Sequence, residues 1–126
     1  MEIGVEEIDL QHRFFVELVR RVEKALQSDQ ARLASIPLFE ELYRYADFHF
    51  LSESNIFTEI GIDRASIAEH QKSHQDLLNG LRSSLTRCVV GKAEPEEVLN
   101  FTREWFLEHS QVTDREMVAA LEPAEE

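Results

Sequence analysis

Apolar side chains recur at the three- and four-residue spacing of an amphipathic helix in four long segments of this chain. Its 126 residues include only 4 glycines and 3 prolines, which lie mostly near the ends of these segments. We therefore predict four helices, over about 6–27, 35–60, 63–90 and 95–121. Because short links force consecutive helices to run antiparallel, the predicted fold is an all-α, up-down-up-down antiparallel four-helix bundle. We expect 1–121 to form one domain and the acidic segment 122–126 to be a tail or the start of a linker.

Several residues mark the predicted helix boundaries. Pro37 suits the first turn of the second helix, which would begin at residue 35 or 37. Gly61 and Gly91 follow the ends of the second and third helices, where a glycine commonly terminates a helix. The third helix would begin near residue 63 or 66, since Ser66 followed by Glu69 has the form of a capping box.

The charge balance excludes several classes of partner. The chain carries 25 Asp and Glu against 13 Lys and Arg, for a formal net charge of −12. A nucleic-acid-binding protein needs a basic face to replace phosphate counterions, so DNA and RNA are excluded. An acidic surface disfavours anionic membranes, and no apolar run approaches the roughly 18 residues of a spanning helix. The N-terminus lacks the features of a signal peptide and Cys88 is the only cysteine, so we expect a cytoplasmic protein.

Histidines and two carboxylates occupy the apolar stripes of these helices. All five histidines fall on a stripe, and each helix carries at least one: His12, His49, His70, His74 and His109. A lone inward histidine is usually a core residue that is hydrogen-bonded to the backbone. Five imidazoles together with Glu53 and Asp114 are costly to bury unless they bind something. A metal centre is the partner that best offsets this cost.

The spacing of these residues suits metal coordination. His49 with Glu53, and His70 with His74, are i, i+4 pairs, so each pair projects from one face of its helix. The first and fourth helices supply the remaining histidines. Four helices can therefore direct their donor atoms at one point in the core of the bundle.

Seven donors are too many for a single ion of ordinary coordination. They suit two octahedral ions bridged by Glu53, Asp114 and a solvent oxygen, with the histidines divided three and two. One ion is then closed and the other keeps a vacant position, which suits a small diatomic ligand. Asp114 follows His109 by five residues, about 140° away on an ideal helix, so it is a ligand only if a π-bulge turns it inward. Octahedral, imidazole-rich coordination favours iron over structural zinc, which prefers four ligands.

Four motifs of the chain resemble those of one family. They are Ile8-Asp9-x-Gln11-His12, His49-Phe50-x-x-Glu53, His70-x-x-x-His74 and Trp105-x-x-x-His109-x-x-x-x-Asp114. On these motifs the chain resembles the hemerythrins, in particular the bacterial hemerythrin-like domains, over about 4–121. The resemblance implies a non-heme protein with two iron ions (Fe2+/Fe3+) and an oxo or hydroxo bridge, which binds O2 reversibly at the open ferrous iron.

The resemblance also implies a role for each donor residue. The closed iron would be held by His70, His74 and His109. The iron with the open position would be held by His12 and His49. The bridging carboxylates would be Glu53 and Asp114.

A ligand pocket and its surroundings follow from the same resemblance. The implied wall of the pocket comprises Phe15, Phe50, Trp105, Phe106 and Ser110. Packing in the bundle core explains the four aromatic residues equally well. The family usually has isoleucine where this chain has Ser110, and a hydroxyl there would admit water or donate a hydrogen bond, so we expect altered autoxidation or ligand choice. Asp9 and Gln11 are either hydrogen-bond partners of the ligands or solvated residues at the helix start.

Three functions are compatible with such a site. The first is reversible binding of O2 for storage, delivery or protection. The second is a sensor module for O2, NO or redox state, with an attached output domain as partner. The third is a di-iron enzyme that reduces peroxide or NO, which ranks last because the site offers no obvious spare acid or base. We therefore expect a protein that is not an enzyme, whose partners are O2 or another small diatomic ligand or anion, and an output domain or a second copy of the chain.

Overall fold

The computed structural model describes residues 5–108 and 114–119. Five helices span these residues: α1 (Glu6–Ala25), α2 (Ala31–Glu59), α3 (Arg64–Val89), α4 (Pro95–Glu108) and α5 (Asp114–Ala119). Consecutive helices from α1 to α4 pack against each other, and α1 also contacts α4, so the bundle closes on itself. The predicted all-α bundle is confirmed. Two described helices, α4 and α5, lie where the sequence predicts a single fourth helix; 109–113 and the predicted tail 122–126 lie outside the described residues.

Glycine ends both α2 and α3, as predicted. Gly61 has a φ of +95° and Gly91 a φ of +80°, a left-handed conformation that is strained for other residues. The backbone N–H of Ile62 donates to the carbonyl of Phe57 at 3.0 Å, and that of Lys92 donates to the carbonyl of Arg87 at 2.7 Å. These six-to-one hydrogen bonds are those of the Schellman motif, which satisfies the last carbonyls of a helix.

The second helix begins earlier than predicted. It starts at Ala31, so Pro37 is its seventh residue rather than part of its first turn. The segment before the proline is held by tertiary contacts that the sequence pattern does not reveal. Arg32 donates to the carbonyls of Cys88 at 2.6 Å and Ala93 at 2.7 Å, and Ser35 is fully buried. These contacts offset the backbone hydrogen bond that a proline inside a helix removes.

The cap of α3 also differs from the prediction. Asp63, not Ser66, is the N-cap residue. Its carboxylate accepts hydrogen bonds from the backbone N–H of Ser66 at 2.9 Å and from the Ser66 hydroxyl at 2.8 Å. These two bonds lower the pKa of Asp63 below its usual value. The predicted capping box of Ser66 with Glu69 is therefore wrong, because a better acceptor lies three residues earlier.

Two apolar clusters fill the interior of the bundle. The large apolar cluster comprises Phe15, Leu18, Val22, Phe39, Leu42, Ala46, Phe50, Leu78, Leu81, Leu85, Cys88, Val98, Leu99, Trp105 and Phe106. The small apolar cluster comprises Ile8, Ile56, Phe57, Ile62 and Ile67. Along each of the first three helices, the buried histidines and Glu53 lie between residues of these two clusters. A polar layer thus separates the two apolar cores. None of the described helices has the length and apolar character needed to cross a membrane.

Candidate metal centre

Six of the seven predicted metal ligands meet in this polar layer. We call them the donor layer: His12 on α1, His49 and Glu53 on α2, His70 and His74 on α3, and Asp114 on α5. No member is more than 4% exposed. The i, i+4 spacing of the pairs on α2 and α3 turns both members of each pair to the core, as predicted. The seventh predicted ligand, His109, lies outside the described residues, as does Ser110.

One set of donors is formed by His12, His49, Glu53 and Asp114, whose donor atoms all lie within 4.8 Å of one another. The Nε2 atom of His12 is 3.2 Å from Oδ2 of Asp114. The Nε2 atom of His49 is 3.4 Å from Oε2 of Glu53. Three helices therefore direct two nitrogens and two carboxylate oxygens at one point.

A second set is formed by Glu53, His70 and His74, also within 4.8 Å. The Nε2 atom of His74 is 3.3 Å from Oε1 of Glu53. The Nε2 atom of His70 is 3.1 Å from Oδ1 of Asp114. Glu53 thus directs one oxygen at each set, which is what a carboxylate bridging two ions requires. Asp114, a member of the first set on α5, directs its other oxygen at His70 of the second set.

The electrostatics of the donor layer favour a cation. Burial raises the pKa of Glu53 well above its usual value, and the charge of Asp114 and a hydrogen bond to it act in the same direction. Within the part of the chain that the structure describes, neither ring nitrogen of His12 makes a hydrogen bond of acceptable geometry. Buried imidazole and carboxylate groups aimed at common points fit metal ions well.

Gln11 orients one of the donors. Its Oε1 atom lies 2.7 Å from Nδ1 of His49, and its Nε2 atom donates to the hydroxyl of Ser52 at 2.8 Å. With Gln11 as acceptor, the proton of His49 resides on Nδ1, and the lone pair of Nε2 faces Glu53. Of the two interpretations left open by the sequence, Gln11 is the hydrogen-bond partner of a donor. Asp9 is only 7% exposed, so it is not a solvated residue either.

Ser52 and Tyr45 extend this support, and sequence analysis missed both. Tyr45 donates its hydroxyl to the backbone carbonyl of Gln11 at 3.1 Å. Burial raises the pKa of Tyr45 to about 12, so the hydroxyl stays protonated and remains a donor at neutral pH. Both residues lie on the side of α2 that faces α1, one turn from His49. Their spacing of four and three residues from His49 is the signal that could have indicated them.

Aromatic rings cover one side of the donor layer. The rings of Phe50 and His74 stack with centroids 4.0 Å apart, and the ring of Phe106 meets that of His12 edge-on at 5.6 Å. Phe15 stacks on Phe106 at 4.7 Å, and Trp105 contacts Phe50 at 4.9 Å. The structure therefore brings together the four aromatic residues predicted for the pocket wall. They also belong to the large apolar cluster, so their packing role in the core is confirmed, and their role as the wall of a ligand pocket stays a prediction.

Comparison with known proteins identifies the family. The family model described as the hemerythrin HHE cation binding domain matches residues 3–121. The chain belongs to the hemerythrin family. It is 25% identical over 122 residues to a bacteriohemerythrin of Clostridium acetobutylicum, covering 93% of each chain. It is 24% identical over 115 residues to one of Stenotrophomonas maltophilia, covering 91% of this chain and 73% of the relative. It is 25% identical over 122 residues to one of Pseudomonas aeruginosa, covering 96% and 77%.

The donor layer fits what a hemerythrin domain is described as doing, which is to bind cations. The match spans every helix that supplies a donor. Nitrogen and carboxylate donors in two sets with a shared glutamate form a site that could hold metal ions. The predicted membership of the family is thus confirmed.

Proposed function

We propose that this hemerythrin binds two iron ions in the donor layer and binds O2 reversibly at one of them, for storage, delivery or sensing. The observation that carries the proposal is that Glu53 belongs to both sets of donors. A single ion would need only one set. Two sets joined by a glutamate, with Asp114 in contact with a histidine of each, suit two ions with bridging carboxylates.

The proposal gives one of the two ions an open position. We assign His12 and His49 to the ion with the vacancy, and His70 and His74, together with His109, to the closed ion. Glu53 and Asp114 would hold both ions, together with an oxo or hydroxo group. An iron pair supplies a reversible source of two electrons and a coordination position for O2. Each described set contains two histidines, so this assignment rests on the resemblance to the family, which adds His109 to the set of His70 and His74.

The surrounding residues have two tasks in this proposal. The aromatic rings beside His12 and His74 would limit the access of water and protons, which promote the oxidation of a reduced metal centre by O2. The hydrogen bond from His49 to Gln11 fixes the orientation of one ligand on the open side. Neither task requires a group that transfers protons to a substrate, so the proposal places the protein among binding proteins rather than enzymes.

Iron quantitation combined with visible spectroscopy tests this proposal. We expect two irons per chain, a colourless reduced protein, a coloured form in air and bleaching on removal of O2. Glu53→Ala should lose both irons, whereas Glu41→Ala, an exposed glutamate on the same helix, should retain them. Less than one iron per chain after reconstitution with ferrous iron would refute the di-iron site. Two irons that oxidise directly in air, without an oxygenated form, would refute reversible O2 binding and favour a redox or NO sensor.

A further inference from the structure

An aromatic and aliphatic patch covers the outer side of the first two helices. Four large apolar side chains are exposed there: Leu10 at 51%, Phe14 at 47%, Phe48 at 55% and Leu51 at 64%. Tyr45 joins the two helices within this patch, with its ring 4.8 Å from that of Phe14 and 5.9 Å from that of Phe48. We call it the α1–α2 patch. Contiguous exposed apolar surface with aromatic residues is typical of a protein interface.

The two ends of the α1–α2 patch differ in charge. At one end a shallow groove of about 270 Å3, which continues from Phe48 and Leu51, is flanked by Glu7 and Glu59. At the other end lies Arg44, which is exposed and one turn from Phe48 on the same face of α2. Two acidic residues of the first two helices are paired with other arginines. Glu41 binds Arg21 at 2.8 Å, and Glu17 binds Arg20 at 2.7 Å.

We propose that the α1–α2 patch binds a second copy of this chain in a two-fold symmetric, antiparallel dimer. Two-fold symmetry places the same surface on both sides of the interface, so one end of the patch meets the opposite end of its copy. Arg44 of each chain then faces Glu7 and Glu59 of its partner, and the apolar centres meet. The patch is thus complementary to itself only in this antiparallel orientation.

The size of the α1–α2 patch indicates how stable the dimer should be. Glu7 and Arg21 are separated by 14 residues of helix, or about 21 Å at 1.5 Å per residue. Two packed helices with their side chains are about 20 Å across. A face of about 21 by 20 Å is smaller than the roughly 800 Å2 per partner of a standard stable interface, which corresponds to a weak, reversible and concentration-dependent dimer. This inference does not depend on iron or on O2.

Sedimentation equilibrium and light scattering at 10–500 µM protein and 0.15 M salt test the dimer. We expect the mass to rise with concentration towards twice the 14.6 kDa of a single chain. Leu51→Glu should raise the dissociation constant by at least about tenfold, because it places a charge in the apolar centre. Leu33→Glu is the matched control: it alters a leucine of the same helix that is 70% exposed, outside the patch. This variant should dimerise as the parent does.

A charge exchange tests the antiparallel orientation. Arg44→Glu alone, and the double variant Glu7→Lys with Glu59→Lys, should each dimerise more weakly than the parent. An equimolar mixture should regain the dimer, because both ends of a mixed pair then join opposite charges. Far-UV circular dichroism and iron content establish that each variant is folded. A chain that stays monomeric at 500 µM, a dimer equally strong in Leu51→Glu and Leu33→Glu, or a mixture that regains nothing would each overturn the proposal.

Discussion

The large apolar cluster and the donor layer lie next to each other in one bundle, but different interactions determine their stability. In the large cluster, side chains such as Leu85 and Val98 are fully buried against other apolar groups. A polar group there, the Thr102 hydroxyl, is satisfied by donating to the carbonyl of Val98 at 2.9 Å. In the donor layer, Glu53 and Asp114 are equally buried, and their charges oppose each other. Apolar burial in the large cluster stabilises the fold, whereas the donor layer is proposed to be stabilised by bound metal ions.

Removal of metal should produce the largest difference between the two regions, because it should destabilise the donor layer more than the large apolar cluster. We expect chelation to lower the melting temperature by about 10–20 °C, since a tightly bound ion stabilises the folded state by several kcal/mol. Calorimetry of the loaded and chelated protein measures this change. Hydrogen exchange should rise mainly around the donor layer and much less around Leu81 and Leu85. Equal loss of protection in both regions would contradict the distinction drawn between them.

Leu85→Ala should damage only the apolar region. We expect a loss of about 2–5 kcal/mol in the free energy of unfolding, because the side chain is fully buried and the truncation leaves a cavity. The loss should be the same with and without metal, and the number of ions bound should not change. Leu33→Ala, at an exposed leucine, is the control and should change stability by less than about 0.5 kcal/mol. Chemical denaturation measures both variants, and a reduced ion count in Leu85→Ala would show that the regions are coupled.

Gln11→Ala should damage only the donor layer. Without the acceptor at Nδ1 of His49, the ring is no longer held in orientation, and we expect metal affinity to fall about 10- to 100-fold. Gln11→Glu keeps an acceptor and should restore most of the affinity. Gln75→Ala is the control, since Gln75 is exposed and bonds only to Asn79 at 3.0 Å among the contacts that the structure describes for it. Titration against a competing chelator measures the affinity, and an unchanged value in Gln11→Ala would refute the positioning role.

Glu53→Gln should stabilise the metal-free protein at neutral pH, although it removes a metal ligand. The pKa of Glu53 is raised in the folded state, so its contribution to stability is fully present below the unfolded value of about 4.5 and is lost as pH rises. A glutamine side chain does not ionise, so the variant should not lose this stability as pH rises. We expect the metal-free variant to match the parent near pH 4 and to exceed it by about 1–2 kcal/mol at pH 7–8, while no longer holding both ions. Denaturation across this pH range measures the difference, and a variant that is less stable at pH 8 would contradict the prediction.

Much of this molecule could be predicted from helical periodicity. Residues such as His12 and Glu53 share the phase of the apolar residues around them, so their burial and convergence follow from the repeat alone. The early start of α2 could not be predicted, because Arg32 gains its partners from the end of α3 and the loop that follows it. The cap of α3 was misassigned since serine and aspartate compete for the same backbone N–H. The roles of His109 and Ser110 stay predictions.

Because Glu53 belongs to both sets of donors, binding at one set should affect binding at the other. If two ions bind as proposed, the first would have to displace the proton of a buried glutamate beside a second carboxylate. The second would find that carboxylate ionised and oriented. Under the proposal, filling would therefore be positively cooperative, with a coupling free energy between the two positions. At substoichiometric iron the population should consist mainly of empty and fully loaded chains, with half-loaded chains in the minority.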